Sequence, residues 1–407
     1  MELAGPIDPL TGTPAARFGL YLHFPYCLAK CPYCDFAVAV VRQVPEERYA
    51  SAVLAELDAR LAAEPSLRER TLESIFLGGG TPSLWHPRHV AHVLEGVAAR
   101  LKVAPGAEVS LEANPSVADA ERFAGYRAAG VNRLSLGVQS FRDETLKALG
   151  REHTGQEAVA AYEAARRAGF AVVSMDFIYG VHGQTRAQAE ADARQAAEME
   201  PEHLSTYALT VERESLAVAT PLSRRLDKGE LALPPDEEVV EMTKAIHEAY
   251  AAHGLHRYEI SNHARPGYGS RHNALYWTGG EYLALGVGAT GMLLTSRPGE
   301  RPTGYRYVNL RGSDAYMRAA QEGKLPESSH EALSPVELFE ERLAMGLRLR
   351  SGVDWEAVCA RYGQDPEPRR AEISRLVQHG LARLEGRKLV LTEAGADVHS
   401  AIAARLL

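Results

Sequence analysis

The sequence predicts an α/β protein built on a parallel sheet, and three observations carry that prediction. Short apolar stretches of strand length alternate six times with stretches of helical periodicity between residues 18 and 215. Polar or glycine-rich residues recur where the apolar stretches end: a cysteine loop, Gly78 to Thr81, Glu112, Gln139 and Asp176. In parallel α/β architectures the ligand sits outside the carboxyl ends of the strands, so this recurrence points to a small-molecule site spread over several strands. The rhythm then changes near Leu216 and again near Ser334. Periodicity alone leaves open whether the six units form a doubly wound sheet or a partial barrel.

Residues 1–17 carry Pro6, Pro9, Pro14 and two glycines and read as an irregular lead-in. Phe18 to His23 is the first strand, and Pro45 to Ala63 has apolar residues and good helix formers at helical spacing. Ser74 to Leu77 is a second strand, Arg88 to Leu101 a helix, and Glu108 to Pro115 a strand stopped by Asn-Pro. Ala118 to Ala129 reads as one helix ending at Gly130, and Arg133 to Gln139 as a strand. Two helical stretches divided by Gly150 to Thr154 lead to the strand Val172 to Gly180, the helix Gln184 to Glu198 and a sixth strand, His203 to Val211. Residues 216–333 read as an α+β elaboration that covers the open side of the sheet. It has a long helix, Pro234 to Ala252, and strands at Arg257 to Asn262 and Tyr305 to Leu310. In residues 334–407, helices at Pro335 to Arg348, Asp354 to Tyr362 and Glu372 to His379 precede two short strands around a glycine turn, Gly380 to Thr392. That order predicts a small winged-helix-like module. It lacks a basic recognition stripe, which favours a structural role over DNA binding.

The 407 residues are too many for one ordinary core. A net charge of −8 gives no global basic field for nucleic acid. Of four cysteines, three are clustered and Cys359 stands alone, which fits a reducing compartment and not a disulfide scaffold. The amino terminus lacks the basic region and apolar core of a signal peptide. The longest apolar run, Tyr282 to Leu294, is broken by three glycines and falls short of the ~20 residues of a membrane helix. The expected location is the cytoplasm.

Cys27, Cys31 and Cys34 form C-x3-C-x2-C. Thiolates this close suit a soft metal centre, and three ligands for a four-iron cluster leave one iron open to a small molecule. The spacing also leaves open a zinc site with His23 as a fourth ligand, a disulfide that strands one thiol, and a buried apolar trio.

With an aromatic before its last cysteine, this motif resembles the cluster motif of the radical S-adenosylmethionine (SAM) superfamily. The flanking Y-x-H-F-P-Y-C resembles its HemN/HemW branch: oxygen-independent coproporphyrinogen III oxidases and the HemW haem chaperones. The resemblance runs from about Gly19 to the carboxyl terminus. It implies a partial (β/α)6 barrel, a [4Fe–4S] cluster on the three cysteines, and SAM, whose amine and carboxylate chelate the fourth iron before an electron cleaves the sulfonium and a 5′-deoxyadenosyl radical forms.

Gly78-Gly79-Gly80-Thr81 ends a strand with bare backbone N–H groups that suit a carboxylate or phosphate, although a glycine run is as often a tight turn. It resembles the family's GGGTP motif, which implies that Gly79, Gly80 and Thr81 hold the amino-acid end of SAM. Glu112 in L-E-A-N-P is a carboxylate able to accept from an amine or ribose, or simply a solvated strand end. Gln139, Arg151 and Asp176 match family positions lining the SAM region, as do Tyr21 and Tyr33. Taken singly, Arg151 suits a helix cap and Asp176 a sheet hydrogen bond.

His272-Asn273-Ala274-Leu275-Tyr276-Trp277 pairs a histidine with aromatics. By pattern alone it is a satisfied core histidine with packing rings. It also resembles the haem-associated H-N-x-x-Y-W motif of the HemW group, which implies haem contacts from His272, Asn273, Tyr276 and Trp277, with His272 on the iron. Two departures separate the branches. The oxidases carry a further cysteine where this chain has Phe36, and a longer segment before the first cysteine. The resemblance therefore implies a haem chaperone that binds cluster, SAM and haem and passes haem to an acceptor protein. Its partners are that acceptor and an electron donor, with no nucleic acid and no transmembrane segment, and with docking at a membrane surface left open. The alternatives are a SAM-dependent coproporphyrinogen III oxidase and a zinc-bound structural protein.

Overall fold

In the computed structural model, residues 15–210, 220–297 and 299–407 are described. Most of the irregular lead-in and the end of the sixth predicted strand lie outside these residues. Six parallel strands follow one another across the sheet in chain order: β1 (Phe18–Phe24), β2 (Thr71–Gly79), β3 (Lys102–Ala113), β4 (Arg133–Gln139), β5 (Val172–Tyr179) and β6 (His203–Ala208). A doubly wound sheet reverses its order at a switch point. This one does not, so it is a barrel wound in one direction. The free edges of β1 and β6 pair with other strands, which leaves the barrel partial.

The connecting helices are α1 (Glu46–Ala63), α2 (Pro87–Ala98), α3 (Phe123–Ala128), α4 (Gly155–Arg167) and α5 (Arg186–Glu198). Their starts are written locally. Pro87 opens α2, and Thr154 and Thr185 form capping boxes with Glu157 and Gln188. One face of the strands, including Leu77, Leu111, Leu134, Val173 and Leu204, is buried in the main apolar core. The alternate positions, Ser110, Ser135, Ser174 and Ser205, line the barrel interior.

After a short helix at Pro221–Asp227, the elaboration continues with α6 (Asp236–Ala252) and extends the sheet at both edges, where a cover over its open side was expected. On one edge, β7 (Asn262–Ala264) pairs antiparallel with β6. After α7 (Arg271–Thr278), strand β8 (Glu281–Gly286) joins β1 in parallel, followed by antiparallel β9 (Thr290–Leu294), β10 (Gly304–Asn309) and β11 (Glu327–Leu333). The single strand expected over Arg257 to Asn262 is a tight reversal between His256–Arg257 and β7. Glu259 accepts from the Ser261 N–H, and the Arg257 guanidinium donates to the Ile260 carbonyl, which closes the turn. The single helix expected over Ala118 to Ala129 is two, Val117–Ala120 and α3, divided at Glu121 and Arg122.

Helix α8 (Ser313–Gln321) packs against α1. The last segment holds α9 (Pro335–Gly346), α10 (Trp355–Tyr362), α11 (Glu367–Gln378) and a hairpin of Ala382–Glu385 with Lys388–Leu391. This is the helices-then-hairpin order expected of a winged-helix-like module. Phe339, Leu343, Trp355, Cys359, Ile373 and Leu389 form a second core that reaches Met292 of β9 and Leu333 of β11. The lone cysteine is thus a core residue.

A buried polar knot fastens α1 to the extended sheet. Glu56 is fully buried and accepts from Arg60, Asn309, the Gly286 N–H and Tyr316. Glu56→Gln removes the fully buried counter-charge of Arg60 and leaves it only Glu327. The expected loss is about 3 kcal/mol of stability, read as a lower urea midpoint with circular dichroism unchanged before the transition.

Candidate functional site

A cavity of about 370 Å³ opens at the carboxyl ends of β1 to β6. The loop after β1 brings Cys27, Tyr33, Cys31 and Cys34 to it, and none of the thiols is in a disulfide. Thr81 donates to Cys27 Sγ at 3.5 Å, and Arg151 Nη1 to Cys31 Sγ at 3.4 Å. Burial pushes the thiols of Cys27 and Cys34 above their ordinary pKa. Among the described residues, no three His, Cys, Asp or Glu side chains are gathered as donors to one metal ion. His23 is spoken for, since Nδ1 accepts from Tyr21 at 3.0 Å and Nε2 donates to the Ala37 carbonyl at 2.9 Å. That disfavours the zinc arrangement. The three-cysteine loop retains the donor set of a multi-iron cluster, in which each thiolate serves a different iron.

The glycine run reaches the same cavity because nothing larger fits. A Cβ on Gly80 would meet the Tyr26 carbonyl oxygen at 2.8 Å, and one on Gly79 the His23 ring at 2.6 Å. The Gly79 N–H donates to Glu112 at 3.0 Å. Gln139 is held at φ 65°, a left-handed conformation rare outside glycine, beside a register shift between β4 and β5. Such strain persists where the surroundings enforce it and clusters at functional sites. Arg151 also donates to Asn114 Oδ1 at 2.7 Å and to the Gly137 carbonyl at 3.2 Å, which aims its guanidinium across the cavity rather than along a helix end. Asp176 accepts from Ser135 through both oxygens, at 3.1 and 3.0 Å.

Of the residues singled out by sequence, Cys27, Cys31, Cys34, Tyr33, Gly79, Gly80, Thr81, Glu112, Gln139, Arg151, Asp176 and Asn273 line this cavity. Tyr21 does not. It opens on a separate cavity with His23, Phe36 and Arg311. His272, Tyr276 and Trp277 also stand apart. His272 is 1% exposed, with Nδ1 2.9 Å from Ser74 Oγ and Nε2 3.2 Å from the Tyr276 hydroxyl, and it stacks on Phe76. Burial lowers its pKa to about 3, so the ring is neutral. Trp277 lies under the Arg348 guanidinium. Both ring nitrogens of His272 have partners in this structure, so a bond from either to iron would replace one of these contacts. Sequence reasoning missed Ser110, Asn114, Arg133, Ser174, His203 and Tyr207, all on the cavity wall. Their signal was position, two residues apart on the inward face of each strand.

Burial, then the neighbouring Asp176, raises the Glu112 pKa from 4.5 to about 8. Burial raises that of Asp176 to about 6. The unfolded chain releases the Glu112 proton near its ordinary pKa, while the folded chain keeps it to about 8. Stability therefore falls as pH rises between those values and levels off above. In cluster-free protein, Glu112→Gln is expected to flatten that fall, so that the variant gains on the parent from pH 5 to pH 8 in denaturation midpoints. Parallel pH profiles would refute the assignment.

The family described as the radical SAM superfamily matches residues 21–196, and the HemN C-terminal domain matches residues 333–398. The heme chaperone HemW of Escherichia coli strain K12 is 41% identical over 67% of this chain and 69% of its own. The heme chaperone HemW of Mycobacterium tuberculosis is 36% identical over 100% of this chain and 98% of its own. A bovine protein, radical S-adenosyl methionine domain-containing protein 1, mitochondrial, is 34% identical over 100% and 90%. The solved structure of coproporphyrinogen III oxidase HemN from Escherichia coli superposes with a TM-score of 0.78 at 21% identity, over 96% of this chain and 90% of that one. At that identity the likeness is one of fold. With sequence identity sustained along its whole length and its partial barrel wound in one direction, the chain belongs to the HemW family of the radical SAM superfamily.

Proposed function

We propose that this chain carries a [4Fe–4S] cluster on Cys27, Cys31 and Cys34, binds SAM along the strand ends, and binds haem for delivery to an acceptor protein. The observation that carries the reading is the meeting of three free thiols, a glycine edge and the half-buried side chains of Glu112, Arg151 and Asp176 in one cavity, in a chain of the HemW family. When bound, cluster and SAM supply one-electron cleavage of a carbon–sulfur bond.

The chain's own residues divide the remaining work. The Arg151 guanidinium offsets thiolate charge at Cys31 and limits how anionic the loop becomes. The bare edge at Gly79 and Gly80 lets backbone approach the amino-acid end of SAM, beside Thr81 and Tyr33. Glu112, protonated near neutrality, and ionised Asp176 offer a donor and an acceptor to amine or ribose, with Gln139 between their strands. Phe36, Val38, Phe76 and Ile178 give the cavity an apolar wall that suits a flat macrocycle. The H-N-x-x-Y-W helix acts as the floor: Asn273 reaches the cavity, while His272, Tyr276 and Trp277 anchor the helix. The partners are an electron donor and a haem acceptor in the cytoplasm. No described helix is long and apolar enough to cross a membrane.

The test is anaerobic reconstitution followed by a haem titration on the Soret band and an assay for coproporphyrinogen decarboxylation. The expected result is about one haem per chain and no decarboxylation. Turnover without stable haem binding would replace the chaperone with an oxidase. Cys31→Ala is expected to lose the iron and the broad visible absorption of the cluster while still folding. His272→Ala is expected to lower the melting temperature and leave the Soret position of the haem complex unchanged. A shifted Soret band would place the imidazole on the iron after all.

A further inference from the structure

We propose that the floor of the barrel, below the strand-end site, is a carboxylate-binding site built by Arg133 and Ser110, and that an acid arm of the porphyrin occupies it. The proposal rests on the haem-binding reading above.

Arg133 of β4 and Ser110 of β3 are register neighbours, 5% and 1% exposed, and both line the cavity. Arg133 Nη1 donates to the Tyr268 carbonyl at 3.0 Å and lies 3.5 Å from Glu108. Arg133 Nη2 and Ser110 Oγ have no hydrogen-bond partner among the described residues. A buried guanidinium N–H and a buried hydroxyl left open toward one space are costly unless something accepts from them. A carboxylate supplies two oxygens, one for each, and a charged donor favours an anionic acceptor over a neutral one.

Glu108 pairs with Arg133 through Nη1 only and also accepts from the backbone N–H groups of Arg271 and His272 at the start of α7, which leaves Nη2 turned to the cavity without an acceptor. Asp176, the other carboxylate near Arg133, accepts one shared hydrogen bond from Ser135 and makes none to Nη2. His203 on the same wall has Nδ1 against Ser174 and Nε2 against Tyr258. Haem is an apolar plate with two carboxylate arms, which matches apolar upper walls above a floor with two open donors. SAM also carries a carboxylate, so the test separates the two sources.

Haem and haem dimethyl ester would be titrated into the reconstituted protein, its Ser110→Asp and Arg133→Met variants, and each would also be titrated with SAM. Ser110→Asp installs an acceptor beside Arg133 and keeps the floor satisfied if Arg133→Met fails to fold. The parent is expected to prefer the free acid over the ester by about tenfold. In the variants that preference disappears while ester and SAM affinities hold. Equal binding of acid and ester by the parent would overturn the proposal and leave the haem reading standing, with water filling the floor. A preference that survives Ser110→Asp while SAM affinity falls would assign the floor to SAM and overturn the porphyrin source. Failure of the parent to bind either porphyrin would overturn the haem reading itself, and this site with it.

Discussion

The carboxylate of Glu108 decides what the inside of this barrel is. It sits on β3, buried, and receives the first backbone N–H groups of α7 together with the Ser270 hydroxyl. A carboxylate at a helix amino terminus satisfies donors that otherwise have no partner and complements the helix dipole. The same carboxylate lies beside Arg133, so one residue on a strand fixes both a helix across the barrel and a cation in its floor. The helix stays because its own side chains fit: a Cβ on Gly19 of β1 would meet Leu275 at 2.4 Å, so β1 must be bare there for the helix to enter.

The mouth shows the opposite economy, since strain and close approach are concentrated where the strands end. Gly79 and Gly80 pass against the loop that carries the cysteines, and Gln139 accepts a left-handed backbone to face inward. Two acidic side chains share this enclosed space, and burial holds both above their ordinary pKa. Like charges packed close in a poorly solvated site cannot both ionise freely. Arg151 moderates this from the side of the cysteine loop. Rigid strands carry these groups and short loops carry the thiols, an arrangement that keeps the polar groups fixed before any ligand arrives.

The six βα units were legible because each strand and helix carries its own period, and the caps at Thr154 and Thr185 are written within four residues. The strand-end residues were legible for the same reason, being punctuation in a repeating pattern. Strand order was not: nothing local distinguishes sequential winding from a doubly wound sheet, which is settled by which distant strands pair. In the extension, β10 was legible as Tyr305 to Leu310, while β8 and β9 were hidden by glycines that disturb strand periodicity, as at Gly286, Gly288 and Gly291. The second apolar core was foreshadowed only by the change of rhythm near Ser334. The inward serines were invisible because a serine in a strand is unremarkable until its neighbours across the sheet are known.

The H-N-x-x-Y-W stretch packs as a short helix whose rings are held by the chain's own side chains. Its histidine is enclosed by Ser74, Phe76 and Tyr276, and its tryptophan by Arg348, so the residue types needed to hold a short helix in place are those that would also suit a porphyrin. Ring type alone cannot separate the two uses, and a nitrogen with a hydrogen-bond partner must lose it to reach iron. At the mouth the logic reverses. Phe36 is 59% exposed on the cavity rim, where a large apolar ring gains nothing from the protein's own packing. The chain thus places an apolar ring on the cavity rim at the position where the oxidases resembled in sequence carry a thiol. The fold shared with HemN therefore does not fix the chemistry, which is left to the rim and the floor.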